Sequence, residues 1–377
     1  MSVTAAGLVG SLRARSDDMT ALLQALVEVE SPSSDRQATR RCAQAVAAAC
    51  SDVAGAEPSL VEVDGATHVL LRGRGDTRVL LLGHLDTVWP LGTLARRPFR
   101  VDGAVATGPG VFDMKAGIVQ GLFALGALDD LDGVALLLTS DEEIGSATSR
   151  ALIEESCAGA VLVLEPSQDG ALKVARKGVA QYRVAVHGLA AHAGLEPERG
   201  VNALVAMAGV VRTIAALGDA EAGTTVTPTT AHAGTATNVV PAEAVVEVDV
   251  RTLTEAESAR VHDAMSSLSS DVEGATVVVS GGQNRPPLPA SASRRLHAVA
   301  QRLAAEMGLG VMPGVSVGGG SDGNFTAAMG VPTLDGLGAV GGGAHADSEH
   351  VLLAAMPERA ALVAALVEAV RRGEVAG

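Results

Sequence analysis

Five short segments of the chain end in side chains that can hold a cation or move a proton. His84 and Asp86 stand in GHLDT, Asp141, Glu142 and Glu143 in SDEEIGS, and Glu165 in LEPS. Asp113 lies where the glycine-rich loop of GPGVFDMKAG enters a helix, and His345 lies in the glycine-rich GGGAHADSEHV. Imidazole nitrogen combined with carboxylate oxygen, without thiolate, suits Zn, with Mn or Co as substitutes; Ca and Mg favour all-oxygen shells. A carboxylate can also bridge two metals, and a pair about 3.5–4 Å apart would polarise a carbonyl and supply a hydroxide at neutral pH. A spare carboxylate is then needed as general base.

Each segment alone has a plainer reading. Asp86 in a lone HxD can cap a turn, and DEE after a strand is often a solvated helix start. Taken together the five outweigh that reading, because chance does not put one kind of chemistry at several strand ends. His187 and His232 lie in expected strands with no acidic neighbour in sequence and are read as structural, as are His68, His262, His297 and His350.

The elements that must carry these residues are legible. RVLLLG (residues 78–83), VALLLTS (134–140) and AVLVLE (160–165) are nearly continuous apolar runs separated by helical stretches, among them 114–128. Such runs predict strands buried on both faces of a mainly parallel sheet, where ligands bind beyond the carboxyl ends. Residues 19–49 predict two helices around the polar break SPSSDRQATR. From about 179 to 286 the pattern becomes βαββαβ, a ferredoxin-like α+β arrangement read as an inserted domain. The catalytic α/β domain is therefore expected over 1–178 and 287–377.

Composition narrows the function. A chain of 377 residues with 47% hydrophobic content can build two cores. A formal charge of -15 disfavours nucleic acid or anionic membrane as a partner. One Trp, one Tyr and four Phe offer few stacking platforms, which favours small aliphatic or acidic substrates. No apolar run reaches the roughly 20 residues of a membrane span, and the first residues lack a basic start with an apolar stretch, so the expected compartment is the cytoplasm. Cys42, Cys50 and Cys157 form no CxxC pair and are expected as reduced, mostly buried thiols.

The sequence resembles the M20 metallopeptidases, and within them the carboxypeptidase G2-like (glutamate carboxypeptidase) branch. The resemblance runs in family order from residue 83 to 351 through GHLDTVWPLGTLARRPFRVDGAVATGPGVFDMKAG, TSDEEIGS, LEPS, HAGLEPERGVNA, GTATNVVPAEAVVEVDVR, GGGSDGNF and HADSEHV. It implies a zinc-exopeptidase-like domain with an inserted lid and dimerisation domain, two Zn2+ per chain (Co2+ or Mn2+ as substitutes) and a homodimer. Asp113 would bridge the ions, with His84 and Glu165 on one and Glu143 and His345 on the other. Asp86 would orient His84, and Glu142 would be the general base. His192, in AAHAG, would stabilise the oxyanion from the partner subunit, while Asn238 and Arg251 would contact substrate, the arginine through its terminal carboxylate.

Gly318, Gly319, Gly320 and Ser321 are expected to form a tight loop near the substrate, with glycine allowing unusual dihedrals and close approach. Two features depart from the branch. The segment after LEPS is short, leaving open whether Lys173, Arg176 or Lys177 takes the place of its substrate-contacting lysine. His345 is followed by Ala346 where the family has serine. The reading is hydrolysis of an amide bond next to a free carboxylate in a small peptide or N-acyl amino acid. An N-acyl amino acid deacylase (acetylornithine or succinyl-diaminopimelate type) is the first alternative, and a metal-binding protein without turnover the second.

Overall fold

A computed structural model describes residues 5–156 and 159–375. The chain divides into two compact units, one of residues 1–175, 289–317 and 321–377, the other of residues 176–288 with 318–320.

The first unit is built on a six-stranded sheet ordered Ser59–Val63, Ala66–Arg72, Val134–Thr139, Val79–His84, Ala160–Val163, Thr333–Leu334. The last four strands are parallel, and Ala66–Arg72 runs antiparallel to both its neighbours. The three apolar runs are buried along their whole length, and alternation shares their side chains between two cores. Leu81, Leu136 and Leu162 face one, with the helices Arg36–Ala54, Ala116–Leu125 and Ala355–Arg371. Leu80, Leu137 and Val161 face the other, with Ile153 and Phe325. Each fully buried side chain of this kind contributes about 1.5–3 kcal/mol, which makes register in the middle of the sheet hard to slip.

Register also aligns the chemistry. Leu82 is level with Leu137 on one side and Val163 on the other. His84, the 141–143 turn and Glu165 therefore emerge together at the carboxyl edge.

Several boundaries move from the expected ones for local reasons. The second long helix begins at Arg36, inside the expected break, because the Asp35 side chain accepts from the backbone of Gln37 and Ala38 and caps it. The helix expected over 114–128 is Ala116–Leu125, entered through a wide turn at Val111–Lys115 that contains Asp113 and a cis Asp113-Met114 peptide bond. The hairpin Ser59–Val63/Ala66–Arg72 and the helix Ala5–Arg13 were not anticipated.

The second unit has the order strand Gly178–His187, helix Ala203–Ala215, strands Thr225–Ala233 and Glu243–Thr252, helix Glu255–Ser266, strand Thr276–Arg285. Its antiparallel sheet runs second, third, first, fourth, with Thr225–Ala233 and Thr276–Arg285 at the edges and Gly178–His187 beside the latter. Alternating Val residues of these strands pack on Met207, Val210, Val261 and Met265. His187 proves to face an acid across the sheet, Glu243 at 3.8 Å. His68 is buried, held by the Ser140 amide and the Thr148 hydroxyl.

Among the described residues no helix is long and apolar enough to cross a membrane. Cys42 and Cys50 are buried and free, and burial, then Glu57, pushes the Cys50 thiol up to about 11. Cys157 lies outside the described residues.

The helix after Asp113 approaches the strand before Glu165 at a glycine. A Cβ on Gly117 would meet the Leu164 carbonyl oxygen at 2.1 Å. Gly117→Ala is expected to cost about 1–3 kcal/mol as an overpacked contact. Urea unfolding measures it, and an unchanged midpoint would mean that the helix shifts freely.

Candidate active site

The strand Val79–His84 delivers His84 into a fully buried position. Its Nδ1 lies 3.0 Å from the backbone carbonyl of Asp86. A carbonyl only accepts, so Nδ1 carries the proton. The lone pair of Nε2 then faces two carboxylate oxygens, Asp113 Oδ1 at 3.2 Å and Glu165 Oε1 at 3.4 Å.

A second imidazole repeats the arrangement. His345 Nε2 lies 3.2 Å from Glu143 Oε1 and 3.4 Å from the other oxygen of Asp113, Oδ2. Asp113 thus gives one oxygen to each histidine. Nitrogen and carboxylate facing each other need a cation between them. In the protein alone that cation is a proton: Asp113 and Glu143 push His345 up to about 10. At His84 burial works the other way, but Asp113, Asp86 and Glu165 outweigh it and raise its pKa well above the ordinary value.

The donor chemistry therefore fits divalent metal. Atoms of His84, Asp113 and Glu143 lie within 4.8 Å of one another, as do those of His84, Glu142 and Glu165. Glu142 thus stands beside His84 and Glu165, at the edge of the same group of donors.

The turn bearing Glu142 and Glu143 is braced by two further carboxylates. Asp141 accepts from the Thr148 amide at 2.7 Å and from the Thr148 and Ser149 hydroxyls. Asp322 accepts from Thr139 and Ser146 on either side of the turn. Asp86 lies between His84 and this turn. Its carboxylate sits 3.5 Å from Nδ1 and also accepts from the amides of Glu142 (3.3 Å) and Glu143 (3.2 Å) and from Ser33 Oγ (2.6 Å).

Of the three basic residues left open, Lys173 is placed 3.9 Å from Glu165 Oε2. Arg176 is buried and donates to the carbonyls of Gly319 (3.1 Å) and Gly320 (3.2 Å) in its own unit. The expected unusual dihedrals are not found there: Gly318, Gly319 and Gly320 all have ordinary φ. Only Gly320 is in close approach, with a Cβ there meeting Val179 at 2.8 Å and Arg285 at 3.0 Å. Ser321 is anchored elsewhere, donating to Asp335 at 2.6 Å.

His192, Asn238 and Arg251 belong to the second unit. His192 is exposed, and its Nδ1 accepts from the amides of Gly194 and Leu195, both at 3.1 Å. Its proton is thereby fixed on Nε2, which becomes a donor. Asn238 is exposed, and its backbone carbonyl accepts from the amide of Ala193. Arg251 is half-buried and already engaged: Nε and Nη2 donate to the two oxygens of Asp249, both at 2.8 Å.

The profile of peptidase family M20/M25/M40 matches residues 80–369, which span this whole constellation. The chain belongs to that family. This peptidase is 36% identical over 305 residues to carboxypeptidase G2 of Pseudomonas sp. strain RS-16, covering 75% of this chain and 72% of the relative. Its fold is shared by aminopeptidase PepT from Bacillus cereus, with TM-score 0.76, 23% identity and coverage of 94% of this chain and 99% of that one. It is also shared by the M20 metallo-carboxypeptidase Sso-CP2 from Sulfolobus solfataricus, with TM-score 0.70, 15% identity, and coverage of 92% and 99%.

Asp113 faces both histidines, so its loss should be felt at both. Zinc titrated into metal-stripped peptidase is expected to raise the melting temperature, as any ligand of the folded state does. Asp113→Ala should abolish most of that rise and lower the bound ions below two per chain by elemental analysis. An unchanged stoichiometry would exclude Asp113 as a shared ligand.

Proposed function

We propose that the peptidase is a two-metal exopeptidase that cuts an amide bond adjacent to a free carboxylate in a small peptide or N-acyl amino acid. His84, Asp113 and Glu165 would hold one ion, and Asp113, Glu143 and His345 the other, as Zn2+ or in substitution Co2+ or Mn2+. The observation that carries this reading is the pair of Asp113 oxygens, each turned to a different histidine at 3.2 and 3.4 Å. The carboxypeptidase G2 relative supports the choice of bond.

Ions bound there would polarise the scissile carbonyl and make a water easier to deprotonate at neutral pH. Glu142 takes the proton of the attacking water and returns it to the leaving nitrogen as the C–N bond breaks, leaving a carboxylate and an amine. Asp86 keeps Glu142 in place through its amide. His192, its proton held on Nε2, donates to the developing oxyanion from the partner subunit of a homodimer formed through the inserted unit. Arg251, with Asp249 fixing Nε and Nη2, offers Nη1 to the substrate carboxylate, assisted by Asn238; Gly319 and Gly320 line the substrate site. The acetylornithine or succinyl-diaminopimelate type of deacylation would use the same groups.

The reading is tested with metal-reconstituted peptidase on dipeptides, N-acyl glutamates and their terminal amides. Glu142→Gln should retain both ions and lose about 100- to 10,000-fold in kcat, the usual share of a general acid-base group. Glu143→Gln should release metal instead. Near-normal turnover of Glu142→Gln with both ions bound would remove Glu142 from the chemistry. Products would separate carboxypeptidase from deacylase, and equal rates on acids and amides would remove the carboxylate requirement.

Action across a dimer has its own test. His192→Ala should lose about 100- to 1,000-fold in kcat, as for one oxyanion donor. Mixing it with Glu142→Gln chains should restore part of the activity, because exchanged dimers contain one site with both residues intact. Mixed dimers detected by mass spectrometry without recovered activity would rule out action in trans.

A further inference from the structure

We propose that Glu349 is a positioning residue that fixes the spacing between Asp113 and His345, and with it the affinity for the ion these two share. The inference rests on the two-metal reading above. Glu349 is fully buried, and its carboxylate is met by backbone amides and an indole. Its Oε1 accepts from the amides of Phe112 (3.0 Å) and Asp113 (3.1 Å), and its Oε2 from the amide of Gly110 (2.9 Å) and the indole of Trp89 (2.8 Å). An ionised carboxylate has about four lone-pair sites, and four N–H donors fill them. Glu349 therefore organises the site without being a ligand.

The backbone explains how it reaches there. The strand His350–Leu352 pairs with Val105–Thr107, His350 level with Thr107. The residue just before His350 thus lies against the turn that follows Thr107, and that turn carries Asp113. On its other side Glu349 ends a compact loop: its amide donates to the Ala346 carbonyl and the Ala346 amide to Gly343, both at 2.9 Å. His345 lies within that loop. One carboxylate therefore ties the segment of the shared ligand to the segment of its histidine.

The indole end of the network is fixed as well. The Arg97 guanidinium lies over the Trp89 ring, 4.5 Å from its centroid, and 3.8 Å from Asp347 of the same loop.

Glu349→Gln keeps size and shape but turns one acceptor into an amide nitrogen. In either orientation two N–H donors then face an N–H group. A ligand-positioning contact of this kind is typically worth about 10- to 100-fold in metal affinity. Cobalt or zinc titrated into metal-stripped protein, followed by calorimetry, should show the affinity for one ion lowered by about that factor and the other changed less than about threefold. Trp89→Phe removes one donor, leaves the carboxylate and three backbone partners, and should weaken the same ion by about 2- to 10-fold, as one hydrogen bond would.

Wild-type affinities for both ions in these variants would overturn the proposal, and so would equal weakening of the two. If Glu349→Gln does not fold, Trp89→Phe decides alone, and its unchanged affinities overturn the proposal. Wild-type protein that takes up a single ion would instead sink the two-metal reading, so the two failures are told apart.

Discussion

The arrangement around Asp113 depends on one electrostatic constraint. Four carboxylates, Asp113, Glu142, Glu143 and Glu165, converge with two histidines at the carboxyl edge of a sheet whose strands are apolar throughout. Like charges in a poorly solvated place repel strongly, and burying them without a counter-charge is costly. Without metal, the histidines answer the repulsion by holding protons against their ordinary tendency. The site is thus a demand for positive charge, and the sheet, the cores and the caps keep that demand in one place.

The same chemical group is used in two opposite ways. Asp86, Asp141, Asp322 and Glu349 are buried carboxylates engaged by amide or hydroxyl donors, and each staples a loop. Asp113, Glu143 and Glu165 have oxygens turned to imidazole nitrogen. Donor supply separates the two sets: an acid surrounded by N–H and O–H groups becomes scaffold, and one left facing a histidine becomes available to a cation. Rigidity of the first set is what allows the second to remain close despite repulsion.

This distinction also marks where reading the sequence stopped. His84, Glu143 and Glu165 were recognisable because each follows an unbroken apolar run, and parallel register makes such ends neighbours. Asp113 and His345 were placed by their glycine-rich surroundings and by family resemblance. Glu349 was overlooked although it stands in the same HADSEHV segment, because a lone glutamate before a short strand carries no local sign of burial. Its partners come from residues 89 and 110–113, far away in sequence. The hairpin missed near residue 60 did have a signal: Asp64-Gly65 with φ of 48° and 80°, the two-residue turn that suits right-twisted strands. At the glycines 318–320 it is the dihedral expectation that fails: none has positive φ, two offer carbonyls to Arg176, and only Gly320 leaves no room for a Cβ.

Trp89 has a spectroscopic consequence. It is the single tryptophan of the chain, and the single tyrosine, Tyr182, belongs to the other unit. The indole N–H that donates to Glu349 and the ring that faces Arg97 are both sensitive to electrostatic surroundings, and no second indole dilutes the signal. Intrinsic fluorescence excited at the red edge, where tyrosine does not absorb, is therefore a native reporter of the loop that carries His345. It follows that loop's geometry without a label, a substrate or any turnover.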